Sequence, residues 1–286
     1  MTTPLHPVRL LGQAIRFEHT VFALPFALMG MMLAAGGWPA WRVVGWILVA
    51  MVGARSAAMA FNRIADLPFD RRNPRTQRWV VPSGKVSVAA LWAVVIGGSG
   101  LLVLAAWQLN PLALRLSPVV LFVLLTYSLS KRFTVLSHLW LGSALGIAPA
   151  AAWVAVRGDL AWPPVVLAAA VTLWTAGFDI IYSCQDIAFD RQAGLKSLPA
   201  RLGAGPALWA SRACHAGMVA LLVVLAVQMS LQMFYAAGVA ATGALLLWEH
   251  SLVKPNDFSR VNAAFFTANG LVSALLFLCT AADILF

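Results

Sequence analysis

Apolar residues fill nine long stretches of this chain, at about 20–38, 43–61, 86–108, 112–130, 136–156, 161–183, 207–228, 232–249 and 262–283, and the charged residues gather between them. Each stretch is long enough for a helix to cross roughly 30 Å of hydrocarbon, so each predicts one transmembrane helix. Residues 213–248 contain no Asp, Glu, Lys or Arg. As one helix they would extend about 54 Å at ~1.5 Å per residue, well beyond a bilayer core. The polar stretch Gln228-Met229-Ser230-Leu231-Gln232 therefore predicts a turn between the seventh and eighth spans. Pro39, Pro111, Pro163, Pro164 and Pro206 fall near span ends, where proline is tolerated. Pro25, Pro118 and Pro149 fall inside spans, where they kink a helix and shape a cavity or are absorbed by neighbouring helices. No Ser/Gly linker or low-complexity run divides the chain, so residues 1–286 read as a single transmembrane domain of all-α class.

Composition supports the same reading. At 61% hydrophobic and 10% charged residues, the chain has too little polar side chain to cover a water-soluble globule. The net charge of +10 does not argue for nucleic acid, because the basic residues alternate with apolar spans instead of sharing one soluble face. Cys184, Cys214 and Cys279 are far apart, form no CxxC pair and read as packing residues. The first nineteen residues lack a signal-peptide pattern with a cleavage site. With the N-terminus cytoplasmic, all but Arg42, Arg115 and Arg157 of the twenty Lys and Arg fall on the cytoplasmic side or in adjacent helix ends. The positive-inside rule then sets the orientation, and nine spans put the C-terminus outside. The Trp-rich span ends are compatible with a bacterial inner membrane.

The ten acidic residues are unevenly distributed. Four of them lie in two copies of one signature 120 residues apart, Asp66-Leu67-Pro68-Phe69-Asp70-Arg71 and Asp186-Ile187-Ala188-Phe189-Asp190-Arg191. Carboxylates near membrane-embedded segments cost roughly 2.5–3.5 kcal/mol each on insertion scales, so clustered pairs call for compensation, most simply by a polyvalent cation. Both signatures lie on the long cytoplasmic connections, at 62–85 and 184–206. Asp179, Tyr182, Asp186 and Asp190 follow spacings of three, four and four, which a continuing helix would gather on one face. Asn62, Asp66 and Asp70 follow the i, i+4 rule, but Pro68 argues against an unbroken helix beyond Asp66, leaving Asp70 on a loop or a new turn. Hard oxygen ligands in such pairs suit Mg²⁺, which takes one or two carboxylates and shares its remaining positions with water and phosphate. Arg63, Arg71, Arg72, Arg75, Arg78 and Lys85 near the first signature, and Arg191, Lys196 and Arg201 near the second, suit an anionic substrate. Any single one of these cations is equally at home in a solvated ion-pair surface.

At these residues the chain resembles the UbiA superfamily of intramembrane aromatic prenyltransferases. Asn62 through Asp70 is similar to the family's N-x-x-x-D-x-x-x-D motif, and Asp179 through Asp190 to its D-x-x-Y-x-x-x-D-x-x-x-D motif. Asn73-Pro74-Arg75-Thr76, Pro82-Ser83-Gly84, Tyr127 with Lys131-Arg132-Phe133-Thr134, and Gly194-Leu195-Lys196-Ser197 also resemble family segments. One departure stands out: the family usually has an arginine three residues beyond Thr76, where this chain has Trp79, with Arg78 one position earlier.

The resemblance implies nine helices around a central cavity and an Mg²⁺-dependent enzyme using a polyprenyl diphosphate donor. It implies metal ligation by Asn62, Asp66 and Asp70 for one ion and by Asp186 and Asp190 for another. It also implies anionic-substrate contacts from Lys131 and Arg132, with Asn62, Arg63, Arg75 and Lys196 as further substrate-binding candidates. Asp179 and Tyr182 are candidates for orienting the acceptor or activating its hydroxyl. The stretches Arg16 through Pro25 and Gly194 through Arg201 look most like the branch that prenylates a dihydroxynaphthoate in menaquinone synthesis through futalosine, and 4-hydroxybenzoate prenyltransferases are also similar. Glu18 and His19 read as interfacial anchors, with acceptor contact as the alternative. His138, His215 and His250 show no ligand-like spacing and are assigned no metal.

Two rival classes remain to be weighed. A transporter would carry its charges near the midplane on discontinuous helices in matching halves. The CDP-alcohol phosphotransferases need an Asp-Gly before Ala54-Arg55, which is absent.

Overall fold

A computed structural model describes residues 7–15 and 20–286; Glu18 and His19 lie outside the described residues. The described residues contain helices and no strand, apart from an isolated antiparallel bridge between Lys254 and Asp257. In chain order the helices are α1 (Pro7–Ile15), α2 (Thr20–Ala35), α3 (Trp41–Asp70), α4 (Val88–Leu109), α5 (Pro111–Ser130), α6 (Ser137–Arg157) and α7 (Trp162–Ser183). They continue with α8 (Ile187–Ala193), α9 (Leu198–Leu202), α10 (Ala204–Met229), α11 (Met233–Ser251) and α12 (Asn269–Leu285).

The nine predicted apolar runs all fall on helical segments, but the expected count of nine membrane spans is not reached by length and apolarity among the described residues. Among the described residues, seven helical segments are long and apolar enough to cross a membrane, and Phe22–Ala35 forms a shorter apolar helix. The turn expected near 228–232 is present: α10 ends at Met229, Ser230 takes a left-handed conformation at φ 52°, and α11 begins at Met233. Asp283 of α12 closes this corner by accepting from the backbone N–H groups of Gln232 and Tyr235 at the start of α11.

The long helices pack through small residues, as expected where lipid supplies no hydrophobic drive between helices. A Cβ at Gly53 of α3 would lie 2.6 Å from the Gly98 carbonyl of α4, and one at Gly98 would lie 2.7 Å from the Gly53 carbonyl, so neither position has room for a side chain. Gly142 and Gly146 bring α6 equally close to α7 at Thr172 and Ala168. The largest buried cluster, which includes Phe26, Met29, Trp174, Met218, Leu222 and Leu276, joins α2, α7, α10 and α12 on one side of the bundle.

Two local expectations are corrected. First, α3 runs unbroken to Asp70 with Pro68 inside it. Proline removes one intrahelical N–H, and here the loss falls in the last turn, where the helix is ending anyway. Second, the helix carrying Asp179 does not continue evenly to Asp190. It tightens into a 3₁₀ turn at Cys184–Asp186 before α8 resumes, so the four-residue stripe is bent at Asp186. A short π-helical segment at Ala263–Ala268 precedes α12. Asn269 secures it by donating to the Ala264 and Phe265 carbonyls and to the buried Glu249 carboxylate.

Candidate active site

Helices α2 to α7 line a cavity of about 590 Å³ whose wall is apolar over most of its length. Its deep part is bounded by small and aliphatic side chains such as Ile47, Met51, Ala106, Ala148 and Ala151. Its mouth is ionic, because the C-terminal ends of α3 and α7 both arrive there with their acidic signatures. Asp66, Asp70, Asp179, Asp186 and Asp190 all line this one space, although the two signatures lie far apart in the chain.

Each carboxylate has a defined partner. Asn62 Nδ2 donates to Asp66 Oδ2 at 3.0 Å and lies 3.3 Å from Ser128 Oγ, fixing the first pair one helical turn apart. Lys131, at the end of α5, places its ammonium 2.9 Å from Asp66 Oδ1. Burial works against the Lys131 charge, but the Asp66, Asp70 and Asp190 carboxylates outweigh it and hold the pKa above the usual lysine range. A single cation therefore feels both signatures. Arg63 Nη1 reaches Asp70 Oδ2 at 3.4 Å.

The second signature is held by the segment that follows the first. Arg75 sets Nε 3.0 Å from Asp186 Oδ1 and Nη2 2.5 Å from Asp186 Oδ2, and its Nη1 donates to the Tyr182 hydroxyl at 3.1 Å. Asn73 Nδ2 adds a bond to Asp186 Oδ1 at 3.2 Å. Burial opposes the Arg75 charge, and the Asp186 carboxylate more than compensates, so its pKa is raised. Asp190 Oδ2 accepts from Ser197 Oγ at 2.6 Å. Trp79, which stands where the family pattern usually has arginine, stacks against two guanidinium groups: Arg63 lies 4.9 Å and Arg75 5.6 Å from its ring. The aromatic face thus braces cations at this corner by cation–π attraction.

Of the expected site residues, the structure brings Asn62, Arg63, Asp66, Asp70, Arg75 and Lys131 to the cavity together with Asp179, Tyr182, Asp186 and Asp190. Arg132 and Lys196 are placed elsewhere. Arg132 donates to the Ala65 carbonyl and packs over Phe69, and Lys196 donates to the Phe133 carbonyl, so both cations serve backbone acceptors outside the cavity wall.

Two cavity residues escaped the sequence reading. Arg55 lines the cavity on α3, two turns deeper than Asn62 on the same face. Its only sequence signal is an arginine inside an apolar run, which marks a functional site by default. His138 lies 2.6 Å from Asp179, and no spacing rule relates residues on two different helices. His215 and His250, also distant in sequence, meet ring to ring at 3.0 Å away from this cavity.

Among the described residues no group of three His, Cys, Asp or Glu side chains converges tightly enough to form a complete metal cage. Each signature instead offers two carboxylates. That donor set suits a hard cation sharing its coordination with phosphate oxygens and water, and it would not suit a closed structural site. The buried, cation-paired carboxylates fit such an ion, because the pairing shows that these positions favour positive charge.

Fold and site together define a class: an α-helical multi-pass membrane protein whose chamber is apolar along its length and polyionic at one mouth, suited to an amphiphile with an anionic head. The sequence pattern of the UbiA prenyltransferase family matches residues 23–271. The chain belongs to that family and is a prenyltransferase. A 4-hydroxybenzoate octaprenyltransferase from Thiobacillus denitrificans is 31% identical over 238 residues, covering 83% of this chain and 81% of that one. A solved UbiA homologue from Aeropyrum pernix K1 is 38% identical, with a TM-score of 0.85 over 94% of this chain and 98% of that one. A UbiA homologue from Archaeoglobus fulgidus, solved with DMAPP and Mg²⁺, shares the fold at 20% identity and a TM-score of 0.71, covering 96% of this chain and 98% of that one.

Proposed function

We propose that this protein transfers a polyprenyl group from a polyprenyl diphosphate to an aromatic hydroxy acid, with Mg²⁺ as cofactor, in quinone biosynthesis. The observation that carries the proposal is the convergence of both acidic signatures on one cavity mouth, tied together by the Arg75 fork on Asp186. The fold neighbour solved with DMAPP and Mg²⁺ and the relatives named as octaprenyltransferases support it.

In this reading Asn62, Asp66 and Asp70 hold one metal ion and Asp186 and Asp190 another. Bound there, Mg²⁺ supplies positive charge to the diphosphate as it leaves. The protein's own residues do the rest. Lys131, Arg63 and Arg75 hold the anionic head at the mouth, where Arg forks match phosphate geometry. The aliphatic wall receives the isoprenoid tail and keeps water from the allylic centre once its C–O bond breaks. Arg55 faces the cavity two turns in, where its guanidinium suits the carboxylate of the acceptor acid. Asp179 and Tyr182 approach the acceptor ring from α7.

The acceptor is 1,4-dihydroxy-6-naphthoate, which the N-terminal and 194–201 segments favour, or 4-hydroxybenzoate, which the relatives' names favour. The proposal places the protein in a bacterial inner membrane as one domain with nine membrane spans, its N-terminus cytoplasmic and its C-terminus outside. Positive charge on the even-to-odd connections at 62–85 and 184–206, against the short and nearly neutral odd-to-even ones, supports this orientation.

The test is an assay of purified membranes with Mg²⁺, a polyprenyl diphosphate and each acid in turn. Prenylated product with pyrophosphate release is expected with one acid. Ion or proton transport without prenylated product would replace this reading with a transporter.

A further inference from the structure

One titratable side chain in the cavity wall has no part in the chemistry above. His138 is the second residue of α6, its side chain is 5% exposed, and both of its ring nitrogens are engaged. Nε2 lies 3.2 Å from the backbone N of Leu198. A backbone N–H can only donate, so Nε2 accepts and carries no proton. The ring is then neutral, with its single N–H on Nδ1, 2.6 Å from Asp179 Oδ2.

The contact with Leu198 also ties this pair to the diphosphate end of the site. Leu198 is the first residue of α9, where N–H groups have no partner within the helix, and His138 caps it from across the bundle. The preceding residue, Ser197, caps the same helix through its side chain and donates to Asp190 Oδ2 at 2.6 Å. One short turn therefore fixes a carboxylate of the second signature on one side and, through the imidazole, Asp179 on the other.

We propose that His138 is a positioning residue: a neutral Nδ1–H donor that ties Asp179 Oδ2 and leaves Oδ1 to take the proton lost by the acceptor ring. This rests on the reading above, in which Asp179 faces the acceptor. The step balances as an aromatic substitution. The allylic C–O bond breaks and diphosphate leaves with the electron pair. A ring π pair forms the new C–C bond, the ring C–H bond returns its electrons to the ring, and the proton passes to Asp179 Oδ1 and then to water at the mouth. The His138 proton stays on Nδ1 throughout, because gaining a second would displace the Leu198 N–H.

The two nitrogens can be separated by substitution. In H138Q the amide oxygen stands near the place of Nε2 and serves Leu198, but the donor to Asp179 is lost. In H138N the amide nitrogen stands near the place of Nδ1 and serves Asp179, but the acceptor for Leu198 is lost. The expected result for H138Q is a kcat roughly ten- to a hundredfold lower, an unchanged KM for the polyprenyl diphosphate, and a larger primary isotope effect with ring-deuterated acceptor. H138N is expected to lose less kcat and to restore the wild-type isotope effect.

Equal loss in both variants with an unchanged isotope effect would reduce His138 to a cap for α9 and overturn the proposal. So would H138Q with wild-type kcat. If H138Q does not fold, D179N carries the test: a raised isotope effect supports the proposal and an unchanged one overturns it. Failure of the wild-type protein to prenylate either acid would instead overturn the underlying assignment of function.

Discussion

Arg75 grips both carboxylate oxygens of Asp186 across 111 residues of chain, with Nε 3.0 Å from Oδ1 and Nη2 2.5 Å from Oδ2. The arginine stands five residues after Asp70 of the first signature and the aspartate opens the second, so this fork joins the two halves of the ionic mouth. Replacing it by lysine leaves the charge but removes the planar pair of donors. The R75K variant is expected to lose about tenfold in kcat/KM for the polyprenyl diphosphate, since charged hydrogen bonds contribute roughly 1.5–3 kcal/mol. Steady-state kinetics over a range of Mg²⁺ concentrations will measure it, and unaltered kinetics would show that the fork has no role in turnover.

The carboxylates themselves give the next prediction. D66N and D186N keep side-chain volume while removing charge, so both proteins should assemble in the membrane yet lose prenyl transfer by on the order of a hundredfold or more. EDTA should abolish wild-type turnover and Mg²⁺ should restore it. Normal turnover by both variants would refute the metal role of the two signatures.

If Arg55 binds the acceptor carboxylate as proposed, it separates acceptor from donor. An R55Q variant should raise KM for the aromatic acid by about tenfold, the scale of one lost charge-assisted contact, and leave KM for the diphosphate unchanged. An acceptor analogue lacking the carboxylate should respond little to the substitution. Equal effects on both substrates would move Arg55 out of the acceptor site.

Ala151 lines the same cavity deep in α6, thirteen residues beyond His138, about 20 Å along the helix at ~1.5 Å per residue. Phenylalanine there would fill the path of a long isoprenoid tail without approaching the ionic mouth. The A151F variant is expected to discriminate against long polyprenyl donors while turning over short ones normally. A series of donors of increasing length will show the cutoff, and an unchanged length preference would place the tail elsewhere.

Much of this was legible in the sequence, and the particular residues show why. The runs at 112–130 and 161–183 became Pro111–Ser130 and Trp162–Ser183 almost residue for residue, because the solvent of a membrane span is read locally from its side chains. The pairing of Asn62 with Asp66 was legible for a similar reason, since i and i+4 meet on any helix. Pro68 misled because a proline signals a break, while its position in the final turn of α3 leaves almost nothing to break. The even stripe expected from Asp179 to Asp190 failed at Cys184–Asp186, where a tightened turn changes the angular step that the spacing rule assumes.

By itself the sequence determined that the chain lives in a bilayer, roughly where its apolar helices lie, and that two sets of carboxylates stand near helix ends. These are properties of neighbours along the chain, and short-range chemistry fixes them. Only the tertiary structure decided that Arg75 meets Asp186, that His138 meets Asp179, and that Arg132 and Lys196 turn from the cavity to backbone carbonyls. Those outcomes depend on how helices approach and rotate against one another, which glycines such as Gly53 and Gly98 permit but no local pattern of residues encodes.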